Sequence, residues 1–178
     1  METENSTPFL TQLDGTPFGL ASNVPVLGER RSVYLLPGEL HASVEPCQIR
    51  TILGSCVSIC LWDVRHLAGG MNHFLLPSSR EGEPASLRFG DLATKALLEK
   101  VLRLGCRLPN LRAKIFGGGS MFLNSNRRAI GLGEQNVAAA LALMKDARIP
   151  VSVQETGGTQ GRKVVFNTDD GTAWCKQI

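Results

Sequence analysis

Aromatic residues are scarce in this chain: one Tyr, two Trp and seven Phe in 178 residues. The basic residues are scattered, with only short pairs such as Arg30-Arg31 and Arg127-Arg128. The chain therefore has neither the stacking rings nor the basic stripe of a nucleic-acid binder, and a formal net charge of +3 does not supply one. Long apolar runs are also missing. None approaches the roughly 20 residues that span a bilayer. The N-terminus, METENSTPFLTQLDGTPFG, lacks the basic start and apolar stretch of a secretory signal. The expected compartment is the cytoplasm, where the five cysteines (Cys47, Cys56, Cys60, Cys106 and Cys175) should stay reduced. An odd count at irregular spacing argues against a disulfide framework.

What is present is the balance of an ordinary globular protein, 43% hydrophobic and 20% charged, with 19 glycines clustered between apolar runs. Residues 1 to 30 are polar and aperiodic and read as a flexible extension, leaving 31 to 178 as one domain. Strands are expected at 32–36, 48–53, 57–62 and 69–77, the third from the alternation of Val57, Ile59 and Leu61 with Ser58, Cys60 and Trp62. Asp91 can cap a helix that Gly105 ends. A short strand at 113–116 runs into Gly117-Gly118-Gly119. A second helix covers about 133–148, with Val137, Ala140, Leu141 and Met144 as its apolar stripe. The last third reads as β, with a hairpin turn at Asp170-Gly171. The expected fold is a single α/β (α+β) domain with a mixed, mainly antiparallel sheet packed by two principal helices.

The sharpest local feature is Gly54-Ser55-Cys56, a turn opening a strand. A nucleophilic thiol needs access, a base and backbone N–H groups aimed at a developing oxyanion. Small residues before the cysteine let a substrate backbone approach, and the turn can leave amides pointing outward. The base must come from three histidines. His41 lies beside a polar turn and His66 in a charged one, whereas His73 sits in an apolar strand. Antiparallel neighbours bring the start of 57–62 toward the end of 69–77, so Cys56 and His73 can face each other. The plainer readings are a buried structural thiol and a hydrogen-bonded strand histidine. Zinc ligation by Cys56, Cys60, His66 and His73 lacks the second ligand pair of structural sites. No Lys-Ser or Lys-Thr follows Gly117-Gly118-Gly119, so a phosphate loop is unsupported. Asn136, Gly157-Gly158 and Arg162 either line a substrate groove or form turns and a solvated edge.

The run Thr51-Ile52-Leu53-Gly54-Ser55-Cys56-Val57-Ser58-Ile59-Cys60-Leu61-Trp62-Asp63 resembles the nucleophile segment of the CheD family of chemoreceptor glutamine deamidases. Gly70-Met71-Asn72-His73-Phe74-Leu75-Leu76-Pro77 resembles its histidine segment. Arg88-Phe89-Gly90-Asp91, Ala113 to Met121, Ile130-Gly131 with Gln135-Asn136-Val137, and Gly157-Gly158 with Gly161-Arg162 follow in the family's order. The resemblance implies a CheD-like fold and hydrolysis of glutamine side chains on methyl-accepting chemotaxis receptors to glutamate and ammonia. It implies Cys56 as nucleophile, His73 as base and Thr51 as the third member. Gly54, Ser55, Asn72, Gly117 and Gly118 are expected on the substrate side. No metal or organic cofactor is implied. The partners implied are the receptors and a CheC-type phosphatase, with no nucleic acid and no membrane insertion. A non-catalytic adaptor that binds receptor or phosphatase is the alternative.

Overall fold

The computed structural model describes residues 30–120 and 131–178. The expected N-terminal extension lies outside the described residues apart from Arg30. Nine strands and two helices run in the order β1 (Arg31–Tyr34), β2 (Glu39–Ser43), β3 (Cys47–Leu53), β4 (Val57–Asp63), β5 (Ala68–His73), α1 (Gly90–Arg103), β6 (Leu111–Gly117), α2 (Leu132–Asp146), β7 (Val151–Thr156), β8 (Arg162–Asn167) and β9 (Ala173–Gln177). No helix among the described residues is long and apolar enough to cross a membrane.

The mixed, mainly antiparallel character and the two helices are as expected, but the strands form two sheets where the sequence suggested one. The orders are β2-β5-β4-β6-β7 and β1-β3-β8-β9. The alternation in β4 explains the layering. Val57, Ile59 and Leu61 face the helices and share a core with Leu97, Val101 and Met144. Cys60 faces the other way, into a second core with Ile49, Leu53, Met71, Phe116 and Phe166 between the sheets. Burial on both faces makes β4 a central strand, and every residue of it except Trp62 is buried. The molecule is thus helices on one side, the five-stranded sheet in the middle and the four-stranded sheet on the other side. The chain passes from one sheet to the other between Leu53 and Val57.

Three local expectations need correction. His41 is not beside a turn; it lies in β2, which pairs with β5 from Glu39↔His73 to Ser43↔Gly69. β5 ends at His73 rather than Pro77, because after a single bridge from Phe74 to Val57 the chain turns to hydrogen-bond Arg88 through Leu75 and Leu76. Asp91 does not cap α1. Phe89 stands at the N-cap with no side-chain bond, and the Asp91 carboxylate instead accepts from the Ser79 N–H and hydroxyl and from the Leu92 N–H.

Candidate active site

The crossing from β3 to β4 places Gly54-Ser55-Cys56 at the rim of the inter-sheet core. Register then decides what the thiol faces. Val57 bridges Phe74, and Cys60 lies opposite Met71. Counting between these pairs puts Ser58 opposite His73 and Cys56 one step beyond, diagonal to His73 on the same face. Diagonal neighbours on adjacent strands have Cα atoms roughly 7–8 Å apart, within reach of a long or flat side chain. Cys56 is half-buried, and His73 is buried at 2% exposure.

Thr51 lies on β3, in the opposite sheet, and its side chain points inward with those of Ile49 and Leu53. Its hydroxyl donates to the Leu35 carbonyl at 2.8 Å. The same oxygen lies 2.8 Å from His73 Nδ1. A hydroxyl has one proton. With that proton given to Leu35, the contact to His73 must run from Nδ1–H to the threonine oxygen. The neutral ring then carries its proton on Nδ1 and a free lone pair on Nε2. His73 Nε2 is buried with no hydrogen-bond partner among the described residues. An orphaned buried acceptor costs about 1–3 kcal/mol, and the register sets His73 on the same face as the Cys56 thiol. No hydrogen bond joins Cys56 Sγ to Nε2 in this unliganded structure. Such bonds are often long until substrate arrives.

Burial sets the charge state of both groups. It lowers the His73 pKa below the ordinary imidazole value, with the Leu35 carbonyl and Glu39 pulling the other way. It raises the Cys56 thiol, offset in part by that residue's own N–H. The resting pair is therefore a neutral thiol beside a neutral imidazole, suited to general-base activation rather than a standing thiolate.

The backbone around the thiol is clamped from three directions. Asn136, fully buried near the start of α2, donates both amide protons of Nδ2: one to Ser55 O at 3.0 Å and one to Leu75 O at 2.8 Å. Because a trans peptide points its C=O and N–H in opposite directions, this turns the Cys56 N–H away from α2. That N–H donates to no neighbouring residue among those described, as an oxyanion donor requires. Gly118 N–H bonds to Cys56 O at 2.8 Å and Gly119 N–H to Gly54 O at 2.7 Å. Gly117 has φ +106, and a Cβ there would lie 2.2 Å from Cys56 O, so only glycine fits. Arg162, buried, donates to Gly117 O at 3.2 Å and Gly157 O at 2.6 Å and holds this loop in place.

The structure thus brings together Cys56, His73, Thr51, Gly54, Ser55, Gly117 and Gly118. Asn72 is separate: it is fully buried, and its Oδ1 accepts the Ile59 N–H at 2.8 Å, a strand-pairing role. Asn136 and Arg162 support the site's backbone rather than line a groove. Ser58 was not singled out from sequence. It stands opposite His73, fully buried with its Oγ unpartnered, and the alternation of β4 was the signal that could have found it. Beside the site, a cleft of about 500 Å³ runs along Leu76, Pro77, Phe89, Leu132 and Gln135. Among the described residues no cluster of His, Cys, Asp and Glu could hold a metal ion.

Comparison with known proteins identifies the family. The family model for CheD, described as chemotactic sensory transduction, matches residues 75–177. The chain is 48% identical over 158 residues to the probable chemoreceptor glutamine deamidase CheD 1 of Anaeromyxobacter dehalogenans, covering 89% of this chain and 91% of that protein. The chain belongs to the CheD family. A CheD relative from Trichlorobacter lovleyi, also named a probable chemoreceptor glutamine deamidase, is 43% identical over 141 residues, or 79% of this chain and 87% of its own. The CheD of Sulfurimonas denitrificans, with the same name, is 33% identical over 150 residues, or 84% and 96%.

Proposed function

We propose that this chain is a chemoreceptor glutamine deamidase in which Cys56 is the nucleophile, His73 the general base and Thr51 the residue that orients the base. The observation that carries the residue roles is the hydrogen-bond chain Leu35 O, Thr51 Oγ1, His73 Nδ1, which leaves Nε2 as a proton acceptor on the thiol's face. Family membership supports the substrate class.

The chemistry follows from the geometry. Nε2 takes the Cys56 thiol proton, and the sulfur attacks the carbonyl carbon of a glutamine side chain. The Cys56 N–H meets the tetrahedral oxyanion, worth roughly 3 kcal/mol per donor. The tetrahedral species collapses as Nε2–H delivers its proton to the departing nitrogen, which leaves as ammonia. Nε2 then takes a proton from water. The resulting hydroxide cleaves the thioester to glutamate, and the proton returns to the cysteine sulfur. Thr51 accepts from Nδ1–H throughout and keeps the ring from flipping. The mechanism calls on no metal or organic cofactor.

The site of action is proposed to be the cytoplasm. Docking of a CheC-type phosphatase is a separate proposal. A pure adaptor leaves the oriented base and its unpaired nitrogen without a use, which favours the enzyme. Mass spectrometry of a receptor cytoplasmic fragment incubated with the protein tests the reading. The expected result is a gain of about 1 Da per modified glutamine, amide to acid, absent with Cys56→Ala and His73→Ala. An unchanged receptor mass with wild-type protein would sink it.

A further inference from the structure

The four-stranded sheet has an inner face that builds the candidate site and an outer face against which no described helix packs. Both helices pack against the five-stranded sheet. The outer face carries the chain's single tyrosine, Tyr34, at 49% exposure, with Ile52 at 47% and Trp174 at 55%. Register sets these in rows. Tyr34 lies beside Arg50, Arg50 opposite Val165, and Val165 opposite Trp174. In the next row Ile52 lies opposite Lys163, and Lys163 opposite Lys176.

The charge on this face is of one sign. Arg50, Lys163 and Lys176 occupy it, and no Asp or Glu does among the described residues of the four strands. Lys163 and Lys176 face each other directly on antiparallel strands, an arrangement that is destabilising in an isolated sheet. Arg50 Nε is buried without a hydrogen-bond partner. An anionic surface laid on the face would relieve the repulsion between the two exposed lysines. The aromatic and apolar residues among the cations supply anchors of the kind found at protein interfaces. The face also adjoins the site. Ile52 follows Thr51 and is four residues before Cys56, so at most roughly 14 Å of chain separates them.

We propose that this outer face is the docking surface for an acidic stretch of the receptor substrate, holding it so that a glutamine reaches Cys56 at the rim. The inference rests on the deamidase reading and adds a partner surface to it.

The test is steady-state deamidation of a receptor cytoplasmic fragment by the full chain. The wild type is compared with Lys163→Glu/Lys176→Glu, with Trp174→Ala, and with Lys95→Glu/Lys145→Glu. The last makes the same net-charge change on the exposed side of the helices. Expected is a rise of about tenfold or more in KM for the face variants, and a wild-type KM that climbs with added salt, with no such change for the helix variant. A KM within twofold of wild type in the face variants overturns the docking surface while leaving the deamidase reading intact. An equal rise in the helix variant also overturns it, by assigning the effect to net charge. A shift in elution volume of the face variants, from dimer to monomer, overturns it in favour of a second copy of the chain as occupant. Wild-type protein that modifies no glutamine sinks the deamidase reading and, with it, this surface.

Discussion

Cys56 and Cys60 lie on the same face, one just ahead of β4 and the other in its middle. Cys60 is 1% exposed, locked among Met71, Phe116 and Ile49, and burial pushes its thiol far above the ordinary range. Cys56 is half-buried at the rim, where the chain crosses between sheets, on the same face as the His73 imidazole that Thr51 orients. Three residues separate an inert thiol from a candidate nucleophile. The two thiols differ in position, one just ahead of β4 at the rim and the other in its middle, rather than in residue type or sheet face.

The first way to break the contrast is to remove each sulfur. Cys56→Ala should abolish turnover, leaving at most about 10⁻⁴ of wild-type kcat. Cys60→Ala should leave kcat within twofold and cost about 1 kcal/mol of stability by urea unfolding. Next in size is the base. His73→Asn should lower kcat by about 10²–10⁴. Thr51→Val keeps the shape but removes the acceptor for Nδ1–H, so kcat should fall by about tenfold while Thr51→Ser restores most of it. Asn136→Leu frees the Ser55–Cys56 peptide and should lower kcat a few-fold with little change in KM.

The smallest and sharpest effect is on pH dependence. The base must be neutral to act, and burial lowers the His73 pKa. The acid limb of kcat/KM should therefore lie below about pH 6.5. Because burial raises the Cys56 thiol, alkylation of Cys56 by iodoacetamide in the resting enzyme should rise only toward and above about pH 9. Rapid, flat alkylation from pH 6 to 8 would mean a standing thiolate–imidazolium pair. The same burial links to stability. Below about pH 6.5 the unfolded chain binds a proton at His73 that the folded chain resists, so stability falls as pH drops toward the folded value. His73→Asn should flatten that slope.

Much of this was legible before the structure. Period-2 alternation marked β4, strands were also expected where β3 and β5 lie, and the Gly-Ser-Cys turn with a histidine in an apolar strand singled out Cys56 and His73 as candidates. β2 was not legible, because it is five residues long, half-exposed and follows directly on Pro37-Gly38, which reads as a turn. Alternation assigns faces but not partners, so it could not reveal that β3 and β4 part into different sheets. Thr51 came from the family resemblance. By itself it is one polar side chain on the inner face of an apolar strand, and its partner His73 sits in another sheet. Asn136 acts 81 residues away from Ser55, a separation no local pattern spans.

The most direct test of the central claim is intact-mass analysis of an acid-quenched reaction between the enzyme and a glutamine-bearing receptor peptide. The account predicts a transient adduct equal to enzyme plus peptide less one ammonia, mapped to Cys56 and absent in Cys56→Ala. Deamidated product formed by Cys56→Ala would contradict it.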